Sequence, residues 1–155
     1  MTSLVTKEDL LWVGLDTGRI FSLDPEVLIP LNEVTSGVKA GLQKINKLYL
    51  KSDEDKLYSI HENFIAEWNI KLNSCLHYIE YFKPQAMIKI EEAILIVGPS
   101  TQLSVLKDKV SELQLSMRGT GVICSLGDRT FAVGGVNNLI DVWSNDCKVM
   151  TLIAK

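Results

Sequence analysis

His61 and His77 are the only imidazoles in the chain and stand sixteen residues apart. A zinc site needs further Cys, His or carboxylate ligands at short spacing. Neither histidine has them, so His61 reads as a turn residue and His77 as an outer-strand residue. Cys75, Cys124 and Cys147 are 49 and 23 residues apart. An odd count at long spacing predicts reduced, mostly buried thiols rather than a disulfide framework. Cys124, inside the apolar run Val122-Ile123-Cys124, reads as a packed thiol. As a nucleophile it would need an activating base, and nothing in the sequence places one beside it.

The acidic triplet Asp53-Glu54-Asp55 begins like a calcium loop but lacks the further oxygen donors and closing Glu, so a solvated turn is expected. Gly14-x-x-x-Gly18 and Gly134-Gly135 lack the Gly-Lys-Ser/Thr sequence or following helix of a phosphate loop. Strands flank them, and they read as strand ends and hairpins. Lys39, Lys44, Lys47, Lys51 and Lys56, with Tyr49 and Tyr58 interleaved, are the stretch best suited to nucleic acid. The acids at 53–55 dilute it. The sequence therefore predicts no catalytic residues, no metal, no cofactor and no nucleic-acid partner.

The elements that must position these residues repeat along the chain. Thr2–Gly14 (TSLVTKEDLLWVG), Ala86–Gly98 (AMIKIEEAILIVG) and Val122–Gly134 (VICSLGDRTFAVG) share one frame: an apolar run, a turn, then a second apolar run ending at Val-Gly. Trp12 aligns in this frame with Ile96 and Ala132. A further turn and an alternating run follow each glycine: Ile20–Asp24, Leu103–Lys107 and Leu139–Ser144. A fourth copy is Leu57–Ile60, the turn His61-Glu62-Asn63, then Phe64–Asn69. Aligned on Leu23, Trp68, Leu106 and Trp143, the copies are 45, 38 and 37 residues apart. Alternation at period two and a frame near 40 residues predict short strands in repeated hairpins.

At these residues the chain resembles the WD-repeat β-propeller family, whose repeat closes near a Trp-Asp pair. FIAEWNI (Phe64–Ile70) and FAVGGVNNLIDVWSND (Phe131–Asp146) carry the likeness, with Trp68-Asn69 and Trp143-Ser144 where the family has Trp-Asp. Leu23-Asp24 keeps only the acid, and Leu106-Lys107 keeps neither. The family's Gly-His pair is absent, and Thr17, Glu62 or Asn137 replaces its turn aspartate. From these departures, its buried Asp-His-Ser/Thr-Trp hydrogen-bond network is expected in no blade. The resemblance implies an all-β fold of about four WD-repeat-like propeller blades in an incomplete ring. It makes Leu23, Trp68, Leu106, Trp143, Gly14, Gly98 and Gly134 structural blade positions. Trp143 is expected between neighbouring blades. The family implies a non-enzymatic scaffold or adaptor that binds other proteins through loops at the ring's faces. LLWVGLDTGRIFSLD also looks like repeats in propellers of membrane-traffic and small-GTPase regulators.

A helical alternative has its own pattern. Leu57, Ile60, Phe64, Trp68, Leu72, Leu76 and Ile79 follow helical spacing, as do Leu103, Leu106, Val110 and Leu113, and Val38, Leu42, Ile45 and Leu48. It would make the chain an α+β structural subunit of a larger assembly, with two or three amphipathic helices. Asn63, Asn69, Asn73 and Ser74 interrupt the longest stripe, and helices leave the shared frame unexplained. The expected organisation is a single domain with blades at about 1–37, 38–83, 84–119 and 120–155. Val27–Val34 reads as the first blade's outer strand, Val38–Lys47 as a loop or short helix, and Leu113, Leu115 and Met117 as one strand face. Pro84 and Gly119-Thr120-Gly121 punctuate blade junctions.

Bulk properties fit. The 155 residues are 46% apolar, 23% charged and 7% aromatic, enough for a packed core. The net charge of −3 carries no basic footprint, and the longest apolar runs fall far short of a spanning helix. The acidic start is neither a signal nor a transit peptide, which points to an intracellular, cytoplasmic protein. Four blades are fewer than the family's usual seven or eight, so a homodimer or a partner protein is expected to supply the rest.

Overall fold

The computed structural model describes residues 2–34, 43–50, 55–90, 93–99, 103–106, 110–113, 119–127, 129–135, 138–144 and 147–153. The chain is all-β, with sixteen strands and no α-helix among these residues. They form four four-stranded antiparallel sheets, each a meander in chain order. The first contains β1 (Ser3–Lys7), β2 (Leu10–Gly14), β3 (Ile20–Leu23) and β4 (Pro30–Val34). The second contains β5 (Lys47–Leu50), β6 (Lys56–Ile60), β7 (Phe64–Asn69) and β8 (Ser74–Glu80). The third contains β9 (Ala86–Ile90), β10 (Ala93–Val97), β11 (Leu103–Leu106) and β12 (Val110–Leu113). The fourth contains β13 (Gly119–Gly127), β14 (Thr130–Gly135), β15 (Leu139–Ser144) and β16 (Cys147–Ile153).

Short hairpin connections dictate this order, because a two- to five-residue turn can only return the chain antiparallel to itself. The β1–β2 turn is Glu8-Asp9, with Glu8 at a positive φ of 52°. Pro30 opens β4, an edge strand where its missing N–H costs no ladder bond. The helical alternative fails on the same ground. The stripe from Leu57 to Ile79 is spread over β6, β7 and β8, leaving Leu72 and Leu76 exposed. Leu103 and Leu106 lie in β11, and Val110 and Leu113 in β12. Within the third stripe Ile45 precedes β5 and Leu48 lies in it, while Val38 and Leu42 fall outside the described residues, as do Leu115 and Met117.

The chain divides into two compact units, Met1–Lys83 and Pro84–Lys155. In the first unit the leading strands β1 and β5 lie against each other. A continuous core joins Trp12, Ile20 and Val34 of the first sheet to Leu48, Leu57 and Trp68 of the second. Ile45, fully buried just before β5, packs onto Gly14, where a side-chain Cβ would stand 2.8 Å from an Ile45 methyl. Glycine is needed there for close approach rather than for an unusual φ. The Ser3 hydroxyl accepts the Leu48 N–H at 2.8 Å, and Lys7 reaches Asp55 at 3.5 Å. In the second unit the leading strands β9 and β13 are likewise neighbours.

In the first, second and fourth sheets burial falls from the middle strands to the last. Four consecutive residues of β6 and of β10, and five of β7, are buried, as in strands covered on both faces. Every residue of β16 is exposed, including Val149, Met150, Leu152 and Ile153. One sequence expectation changes here. Cys124 is exposed, because strand alternation sends Ile123 inward and Val122 and Cys124 outward; Cys147, on the outer strand, is exposed too, and Cys75 is half-buried. Gly119 begins β13, so the glycines expected at a blade junction open the fourth sheet.

Candidate functional site

The four alignment residues occupy one structural position. Leu23, Trp68, Leu106 and Trp143 each lie on the third strand of their sheet, opposite Leu11, Leu57, Ile94 and Phe131. In three sheets a β-bulge falls at the same place, between Ser22 and Leu23, Glu67 and Trp68, and Val142 and Trp143. A bulge bends its strand and re-aims the neighbouring side chain, so its recurrence makes the repeat geometric as well as sequential. The ladder corrects one column. Val97, not Gly98, stands where Gly14 and Gly134 do, opposite Leu103 as they stand opposite Ile20 and Ile140. Trp12 consequently matches Leu95, not Ile96.

The second sheet joins three of the four side-chain types of the Asp-His-Ser/Thr-Trp network, with a backbone carbonyl rather than an aspartate at its end. Trp68 Nε1–H donates to Ser59 Oγ at 2.8 Å, and Ser59 Oγ lies 2.8 Å from His61 Nε2. His61 Nδ1 lies 3.0 Å from the Gln43 carbonyl oxygen. A carbonyl can only accept, so Nδ1 carries the proton in the neutral ring and Nε2 accepts from the Ser59 hydroxyl. Trp68, Ser59 and His61 thus form a directed chain, fully shielded from solvent. The histidine comes from the β6–β7 turn rather than from a Gly-His pair, which hid it from motif reasoning. Burial lowers the His61 pKa to about 4, with the hydrogen bonds to backbone Gln43 and Lys44 opposing.

The fourth sheet shows the consequence of losing these partners. In ladder register Val133 and Gly135 stand where Ser59 and His61 do, and the buried Trp143 Nε1 has no hydrogen-bond partner among the described residues. In the first sheet Trp12 Nε1 and Ser22 Oγ are also buried and without a partner among the described residues, although their residues sit directly opposite.

Above the network lies a cleft of about 700 Å³. Phe64, Tyr78, Tyr81 and Phe82 line it together with Glu80, and Asn63 and Gln43 complete its wall. Phe64 stacks on His61 with ring centres 4.2 Å apart and meets Tyr78 edge-on at 5.7 Å. The rim is pinned to the β6–β7 turn: Tyr81 N–H donates to the Asn63 carbonyl and Lys83 N–H to the Glu62 carbonyl. Periodicity hid the cleft because it placed Phe64 in a strand and said nothing of which side chains gather beside it.

The other sequence candidates are structural. Glu67, buried in β7, pairs with Lys56 at 2.7 Å and with His77 at 3.1 Å. Lys56 is therefore neutralised, which thins the basic run; Lys39 and Lys51 lie outside the described residues. Asp55 pairs with Lys71 at 2.6 Å, which lowers the Asp55 pKa and raises that of Lys71. Asp53 and Glu54 lie outside the described residues. No group of three His, Cys, Asp or Glu side chains able to hold a metal occurs among the described residues.

No family model matches the chain, and no curated protein matches it. A solved structure of a propeller-like protein, described as "KlHsv2 with loop 6CD replaced by a Gly-Ser linker", is similar with a TM-score of 0.67 and 9% identity. The match covers 97% of this chain and 50% of that one, so the chain spans about half the length of its structural neighbour. At that identity the likeness concerns the fold alone.

Proposed function

We propose that the chain is a non-enzymatic protein-interaction module, a scaffold or adaptor built from WD-repeat-type propeller blades that further blades complete. The recurrent third-strand bulge beside Leu23, Trp68 and Trp143 carries this reading, because it makes the sheets copies of one unit. The Trp68–Ser59–His61 chain supports it, joining three of the four side-chain types of the family's network. A propeller subdivides into sheets that each need a neighbour on both faces, and the covered middle strands β6, β7 and β10 are of that kind.

For the isolated chain a second copy is the simplest source of additional blades, with another protein as the alternative. Light scattering on the purified chain at micromolar concentration tests this. A particle of twice 17.3 kDa supports self-completion, and a larger particle formed only with a captured propeller-type partner supports the heteromer. A chain that stays folded and monomeric through concentration, with no such partner, refutes the half-propeller reading.

A further inference from the structure

The first and second sheets treat one position in opposite ways. Ile20 pairs with Gly14 and Val34 as Ile65 pairs with Ile60 and Ile79. Arg19 therefore corresponds to Phe64, and Glu33 to Tyr78. In the first sheet the Arg19 guanidinium lies over the Phe21 ring at 4.8 Å and grips both Glu33 oxygens at 2.6 Å. Stacking plus a bidentate carboxylate uses the flat face and the forked edge of a guanidinium together. In the second sheet no arginine is present. Phe64, Tyr78, Tyr81 and Phe82 instead surround the cleft, beside the exposed carboxylate of Glu80. Glu80 has no ion pair among the described residues.

We infer that this cleft binds an arginine side chain projecting from a partner protein. The inference rests on the interaction-module reading and names what that module recognises. A guanidinium is more weakly hydrated than an ammonium and gives up less on entering an aromatic cleft. Glu80 supplies the bidentate acceptor, and the side-chain carbonyls of Gln43 and Asn63 are acceptors for the remaining N–H groups. The rings supply the cation–π face. Lys83 also reaches this rim, its ammonium 5.2 Å from the Phe82 ring centre, so the aromatic edge already accommodates one cation. The two backbone bonds that fix Tyr81 and Lys83 to the β6–β7 turn hold the rim in place before the guest arrives.

The test titrates acetyl-Gly-Arg-Gly-amide into the full chain, following backbone amides by NMR, with the lysine and citrulline counterparts as comparisons. Citrulline keeps the shape of arginine and removes its charge. The arginine probe should give saturable shifts across Tyr78–Lys83, the lysine probe weaker ones, and the citrulline probe none. Glu80→Gln, on an exposed site, should weaken arginine binding about tenfold without moving the melting temperature. Phe82→Ala, also exposed, should weaken it as well. No saturable shift, equal binding of citrulline or lysine, or unchanged binding by Glu80→Gln would each overturn the inference. Light scattering separates the two readings. A chain that assembles but ignores the probe sinks the arginine site alone, and a strict monomer that binds it sinks the half-propeller reading alone.

Discussion

Acidification should destabilise the first unit through His61, beginning before the surface carboxylates titrate. The ring's pKa falls from 6.5 to about 4 in the folded chain because it is buried. The hydrogen bonds add a reason. A protonated ring would offer Nε2–H to Ser59 Oγ, which already accepts Trp68 Nε1–H, leaving the serine hydroxyl proton without its acceptor. The folded pKa is depressed, so the unfolded chain takes up the proton first. Stability is complete above pH 6.5, declines as the pH falls, and levels off below pH 4. At ~1.4 kcal/mol per pH unit the full loss is about 3 kcal/mol, of which about 2 kcal/mol is gone by pH 5. A domain stable by ~5–15 kcal/mol would register this plainly. Urea unfolding at pH 7, 6 and 5, followed by fluorescence in a Trp143→Phe background, restricts the signal to Trp12 and Trp68 of the first unit. His61→Gln has no titrating ring and cancels the contributions of His77 and the carboxylates. If wild type and His61→Gln lose stability equally over this range, the reasoning is wrong. An NMR titration of the His61 ring checks the same point should the variant fold poorly.

Gly14→Ala should destabilise by more than 1 kcal/mol, since its Cβ meets the buried Ile45; Gly134→Ala, with Val122 at an ordinary 3.5 Å, should change the melting temperature little. Glu8→Gly should raise stability by about 0.5 kcal/mol, because Glu8 holds a positive φ in a two-residue turn; an unchanged or lower denaturation midpoint would contradict this. Trp68→Phe should cost at least ~1 kcal/mol more than Trp143→Phe, because only Trp68 Nε1 has a buried partner to orphan. Maleimide should label Cys124 and Cys147 rapidly and Cys75 slowly, as burial raises the Cys75 thiol pKa and shields it; mass spectrometry of the labelled chain reads the order.

Local pattern was enough for the strands. Phe64–Asn69 and Leu139–Ser144 alternate and are bounded by turn residues, and both are strands at nearly the expected limits. The spacing of Leu23, Trp68, Leu106 and Trp143 placed all four on third strands, since a repeat of hairpins preserves its own count. Counting failed in the third sheet. Gly98 and Ile96 slipped by one because only the ladder fixes which residues face each other. The fate of Cys124 was also undecided locally, as an apolar run does not say which of its two faces has a neighbour.

What belonged to tertiary structure alone was the meeting of side chains distant in sequence. Ser59, His61 and Trp68 are unremarkable letters until β6 and β7 pair and the Gln43 carbonyl closes over the ring. Phe64, Tyr78 and Phe82 share a cleft because one hairpin returns beside the next. Periodicity records which face a residue takes. Partnership depends on register and on the approach of a second segment, and neither is written in the spacing of residues along one strand.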